Sequence, residues 1–427
     1  MIHWKKALTA GFLSLTLFAV PVSTAMAASW WQTLAYGAAA MTLAKQQLTK
    51  MDDGAKQQML ASTQAKTGVV AGEAYGDRLE GIQRNIVATG MIERQYDVYA
   101  NPSEDLNAFE TIGGVISVNK GMMDALSDDE LAFTLCHEMQ HGEKRHAVNG
   151  VLKSIGIATL VDVALGGDLN VLDVLLGSVA VNYIDNEVVT MDQEKEADAH
   201  GFDVFKNTQY NVGGAASSMQ LVYEQYGELY QEGFKRIINP NNHPQMTSRI
   251  EKLAFRMSQW SGNHVQVGGD VVYVNAQPVI HPVPSGDYSP RRRAFLAAGN
   301  LARVTHNEYG EAIDEDEVQA VPLNQQNEKG KKADKDAPIY PPAWNVAQHG
   351  SDIYVNGLRI MTCAPGDDGG AITQSLEKAL KAEPAMLSEK EIKKLNKEWK
   401  KQYEADKKAK EEAEQATAEA QQPAEAS

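Results

Sequence analysis

The chain has 427 residues, with 40 Lys and Arg against 56 Asp and Glu and a formal net charge of −16. That acidity argues against a nucleic-acid-binding protein, which would present a basic face or stripe. Two cysteines, Cys136 and Cys363, exclude a disulfide-stapled scaffold and an all-thiolate metal site, so chemistry must come from His, carboxylate or hydroxyl groups.

Residues 1–27 read as a secretory signal peptide. Lys5 and Lys6 form its charged start, Ala7–Val20 its apolar stretch, and Ala25-Met26-Ala27 its small–x–small cleavage site. The apolar stretch is too short to cross about 30 Å of hydrocarbon. The mature chain is therefore expected in the periplasm or the extracellular cell envelope, without a stable membrane span.

A first domain is expected over 28–262, with its core at 74–257. Its beginning is helical in pattern to about Val98, and Val115-Ile116-Ser117-Val118 follows the Gly113-Gly114 pair as a strand. Ser127-Asp128-Asp129-Glu130 forms a capping box that predicts a helix from Leu131 to about Val148. The apolar, Gly-punctuated stretch 151–189 predicts a helical hairpin, either a lid or a membrane contact. A further helix is expected from Glu194 to about Asn207, and others up to Ser258.

A β-rich region is expected over 263–375. Val271-Val272-Tyr273-Val274-Asn275-Ala276 and Ile353-Tyr354-Val355-Asn356-Gly357 share a Tyr-Val-Asn core, repeated 81 positions apart. Each predicts a hairpin turning at Asn-Ala or Asn-Gly. Between them, 311–342 is charged and Pro-containing and reads as a flexible insertion. The region 376–427 predicts a charged helix carrying an Ile392, Leu395, Trp399, Tyr403 stripe, then a disordered tail.

The chemistry concentrates at Cys136-His137-Glu138-Met139-Gln140-His141. Two His at i and i+4 on a helix share a face and can bind one Zn²⁺, with Glu138 beside them placed to take a proton from water. A third His at position 147 would be needed for the metzincin pattern, and Ala147 stands there. The alternative is a carboxylate from a second helix. Glu194 and Asp198 are i and i+4, so one can ligate zinc while the other orients a ligand His from behind. Glu196 points roughly the opposite way. His146, placed on an unbroken continuation of the first helix, faces away from the metal.

Several further strings accompany this one: Asn107-Ala108-Phe109, Gly113-Gly114-Val115-Ile116, Gly121, Glu130-Leu131-Ala132 and Glu194-x-x-Ala197-Asp198-x-x-Gly201. In this combination the chain resembles the HtpX / CAAX prenyl endopeptidase / BepA family of zinc metallopeptidases, over roughly Ala74 to Met257. The resemblance implies an α+β fold, a mainly helical zincin-like (gluzincin-type) domain with a small sheet. It implies Glu194 as third zinc ligand with Asp198 behind the site. It also matches His243-Pro244 and Arg249 to a family element in which His243 stabilises the oxyanion or caps the zinc, and Arg249 fixes substrate or the site wall. The tetratricopeptide repeats of the BepA type are missing, so partner recognition by them does not carry over. The Tyr-Val-Asn segments faintly resemble a copper-amine-oxidase-like N-terminal repeat, which implies no copper.

The expected activity is hydrolysis of peptide bonds in unfolded or misassembled envelope proteins, bound in extended form against the Gly114–Val118 strand. The β-rich region is free to bind an envelope partner. A rival reading is a latent, metal-centred binding or chaperone-like protein, with His243 as a permanent fourth ligand.

Overall fold

The computed structural model describes residue 39 and residues 41–154, 190–228 and 245–420. The expected signal peptide, most of the 151–189 hairpin, and His243-Pro244 lie outside these residues. Among the described residues no helix is long and apolar enough to cross a membrane.

The fold is α+β. Helices α1 (41–54), α2 (Lys56–Thr67) and α3 (Ala74–Val87) precede a three-stranded sheet of β1 (Asp97–Asn101), β2 (Ala108–Thr111) and β3 (Val115–Asn119). The strand order is β1-β3-β2, with β1 parallel and β2 antiparallel to β3. The alternation of side chains buries both faces. Ile116 and Val118 face the main core, whereas Val115 packs with Leu48 and Met59 of the N-terminal helices. This topology corrects one expectation. The Gly114–Val118 strand is central, and its backbone groups are already committed to β1 and β2, so it cannot add an extended substrate. Strand β2 is a sheet edge.

Short α4 (Lys120–Ala125) leads into α5 (Asp128–Glu143), buried from Glu130 to Gly142. The Ser127 capping box forms as expected. The single helix to Val148 does not. Arg145 adopts φ +53°, a left-handed conformation that ends the helix, and α6 (His146–Ser154) starts in a new direction. Arg145 holds the bend by pairing with Asp52 and Asp53 of α1.

Helix α7 (Met191–Phe205) lies against α5, followed by α8 (Gly214–Tyr226) and α9 (Met246–Trp260). Close approach requires Gly201: a Cβ there would sit 3.2 Å from the His137 backbone.

The repeat is visible as two βββα units. The first is β4 (Val265–Gly268), β5 (Val271–Val274), β6 (Gln277–Ile280) and α10 (Pro290–Tyr309). The second is β7 (Val346–His349), β8 (Asp352–Val355), β9 (Leu358–Thr362) and α11 (Gly369–Leu380). Both are antiparallel meanders with a register shift at the same point of the second hairpin. Asn275-Ala276 and Asn356-Gly357 all take positive φ, as the tight hairpin turn requires. Helix α10 packs on β4, β5 and β9, and α11 on β5, β6 and β7, so each helix touches both sheets. The apolar core runs without a break from Phe133 and Ile250 to Phe295, Ile353 and Leu376, across the expected boundary at 262/263.

The expected flexible insertion, 311–342, contains one 3-10 turn, Leu323–Gln325. Its first part is tethered. Asn263 Nδ2 donates to the carbonyls of Asp314, Glu315 and Glu317. The final helix, α12 (Glu389–Ala420), docks by its N-terminal part, with contacts as far as Lys407, whose Nζ donates to the Glu224 carbonyl. There Asn396 accepts from the Gly269 N–H (2.9 Å), Trp399 stacks under the Arg291 guanidinium (3.9 Å), and Lys400 pairs with Glu228.

Candidate metal centre

One turn of α5 separates His137 from His141, and their Nε2 atoms converge to 3.1 Å. Glu194, on the first turns of α7, brings Oε2 to 3.6 Å from His137 Nε2 and Oε1 to 3.6 Å from His141 Nε2. Among the described residues these three form the group able to hold a metal ion, with ligand atoms all within 4.8 Å of one another. A tetrahedral zinc shell with bonds of about 2.0–2.1 Å places its donors about 3.3 Å apart. The donor set and its spacing fit that ion.

Asp198 sits one turn beyond Glu194, with Oδ1 3.0 Å from His137 Nδ1. The contact is close but lacks the alignment of a good N–H···O bond. Arg249 on α9 grips Asp198 through two 2.7 Å bonds, from Nε and Nη2, and reaches Glu194 Oε2 at 3.0 Å from Nη1. Burial alone would raise the Asp198 carboxyl, but Arg249 and His137 outweigh it and hold it far below the usual range. Burial opposes charge on His137, yet Asp198 raises its affinity for a proton. His141 is driven the other way, by burial and then by His137 and His146, and stays neutral.

Glu138 is buried, with the polypeptide of β2 above it. Desolvation pushes its pKa up to about 7. A bound cation would lower that value again by favouring the carboxylate.

The structure thus brings together His137, Glu138, His141, Glu194, Asp198 and Arg249. Arg249 is buried and pairs with both carboxylates of α7. His243 falls outside the described residues. Residues 76–256 match the model of peptidase family M48. They are a family M48 domain. Two relatives agree with this: metalloprotease YcaL of Escherichia coli (strain K12) is 27% identical over 223 residues, covering 51% of this chain and 80% of that protein. Metalloprotease LoiP of the same strain is 28% identical over 220 residues, covering 51% and 80%. The M48 domain makes the chain a metallopeptidase.

Two groups around the M48 site escaped the sequence. His146 lies with Nδ1 3.0 Å from His141 Nδ1, because the bend at Arg145 returns it towards α5. Glu196 faces it, 3.4 Å from His146 Nε2. A straight helix hides both relations. The remaining histidines stand elsewhere: His264 binds Asn275, His306 the Trp260 carbonyl, and His281 Asp270. Cys136 and Cys363 are both free thiols.

Proposed function

We propose that this chain is an exported zinc endopeptidase acting on extended segments of unfolded or misassembled cell-envelope proteins. The observation that carries the reading is the convergence of His137, His141 and Glu194 with Glu138 alongside, each ring backed by a polar partner. Zinc held there supplies Lewis acidity, which acidifies water and polarises a carbonyl. His137 and His141 bind as neutral rings, and Glu194 contributes one negative charge.

Glu138 accepts a proton from the attacking water. The water oxygen bonds to the scissile carbonyl carbon, and the same carboxyl then delivers the proton to the departing nitrogen as the C–N bond breaks. Asp198 and Arg249 act through their neighbours, one on His137 and the other on Glu194. A substrate strand is best received along β2, a sheet edge that packs against α5. Main-chain pairing of that kind selects for unfolded chain more than for sequence. The α+β domain at 28–262 carries this chemistry, and the 263–375 region and the tail brace it and offer a surface to an envelope partner.

The test is zinc content by elemental analysis together with casein hydrolysis, on the parent and on Glu138→Gln. One zinc per chain in both, with hydrolysis only in the parent, supports the reading. A chain free of stoichiometric zinc, or an active Glu138→Gln, ends it.

A further inference from the structure

We infer that His146, backed by Glu196, is a positioning residue that fixes the tautomer of His141 and so points the lone pair of its Nε2 at the metal position. The inference rests on the metal-site reading above and deepens it. It begins with a constraint on hydrogens. The Nδ1 atoms of His141 and His146 lie 3.0 Å apart, and between two neutral rings only one of them carries a hydrogen in such a contact. Two arrangements are open. If His146 holds that hydrogen, His141 is protonated on Nε2 and turns an N–H towards His137 and Glu194. If His141 holds it, His141 Nε2 is a free donor atom.

Glu196 selects between them. Its Oε2 is 3.4 Å from His146 Nε2, and a carboxylate only accepts. His146 must then carry its hydrogen on Nε2 and accept on Nδ1, which leaves the shared hydrogen on His141. The chain of donors runs from His141 to His146 to Glu196, ending on a carboxylate that is 41% exposed and steadied by Lys144 at 3.6 Å. His146 itself is 2% exposed, so its ring has no solvent alternative to these two partners. The two rings at the site are therefore supported unequally. His137 meets a carboxylate directly, through Asp198, whereas His141 meets one through an intervening imidazole. The relay through His146 holds its ligand ring in one orientation and one tautomer.

The experiment measures zinc affinity of the full chain by competition with a chromophoric chelator, alongside the thermal midpoint of the metal-free protein. His146→Ala should bind zinc on the order of 10–100-fold more weakly. His146→Asn, whose amide oxygen can accept from His141 Nδ1, should recover most of that loss. A role in filling space alone would weaken both equally, and that result overturns the inference, as does parent-like affinity in His146→Ala. Should His146→Ala fail to fold, Glu196→Ala decides, because that side chain is half-exposed. A several-fold loss of zinc affinity there supports the relay, and unchanged affinity overturns it. His141→Ala serves as the reference. If the parent itself binds no stoichiometric zinc, the metal-site reading has failed. If the parent binds and His141→Ala does not, while His146 and Glu196 variants match the parent, only the relay has failed.

Discussion

The M48 domain and the paired βββα units both bury polar side chains, but in different arrangements. Around α5 the interior takes in His137, Glu138, His141, His146, Asp198, Arg249 and the fully buried Glu110, whose two oxygens find no donor among the described residues. The repeat units bury Val272 and Val274 of one middle strand and Ile353 and Val355 at the equivalent positions of the other, and their buried polar groups, including Arg291, Arg292, His264 and Asn275, belong to the first unit. Burying polar and charged groups costs free energy that partners only partly return. Apolar strands packed under helices contribute stability instead. The comparison teaches that the helix carrying His137 is held in part by side chains of the first repeat unit.

The join between them is specific. Glu130, the capping glutamate of α5, receives Arg292 of α10 at 2.7 Å, and both side chains are fully buried. Ser217 Oγ and Tyr288 Oη also donate to Glu130. The first turn of the helix that carries His137 is thus clamped by the first repeat unit. On the same front, Asn211 Nδ2 donates to the Leu296 carbonyl and its N–H to Asp129.

If the two halves divide their labour in this way, changes in one should move activity and changes in the other stability. Glu138→Gln has the largest expected effect on function, lowering kcat on the order of 10²–10⁴-fold. Its denaturation midpoint should match or exceed that of the parent, because it removes a desolvated carboxyl. A large loss of stability in that variant would break the comparison. Arg292→Ala leaves Glu130 buried without its counter-charge and should cost about 3–5 kcal/mol in urea titration. A cost below about 1 kcal/mol would show that the clamp is dispensable.

Trp399→Ala tests how firmly α12 is held. It removes the ring under Arg291 and the packing over Gly269, and should cost about 1–3 kcal/mol with unchanged chemistry per folded molecule. The smallest effect is expected within the repeat itself. Ala276 occupies a left-handed position (φ +61°) where its counterpart is Gly357 (φ +81°). Ala276→Gly should stabilise by under about 1 kcal/mol, and Gly357→Ala should destabilise, both read from thermal midpoints. Opposite signs would show that the two turns are not equivalent.

Much of the site was legible because its geometry is local. Ser127 and Glu130 announce a helix start by their spacing, and His137 and His141 share a face on any regular helix. Glu194 and Asp198 share a face by the same rule, as do the two Asn turns by theirs. Other relations were hidden, and each for a stated cause. The role of Gly114–Val118 depended on which strand occupies the centre of the sheet, and strand order is not written in the strand. His146 was misplaced because one left-handed residue, Arg145, breaks a pattern that otherwise continues.

What the sequence by itself determined, then, was every arrangement set by neighbours within a turn or two: helix caps, hairpin turns, and which side chains leave a helix together. Spacing left Glu194 and Asp198 equivalent until the family resemblance chose between them, and tertiary structure alone decided that His146 and Glu196 stand behind His141 and that Arg292 reaches Glu130 from far along the chain. Those outcomes rest on how helices pack and where the backbone bends, and long-range packing is a property of all the surfaces together.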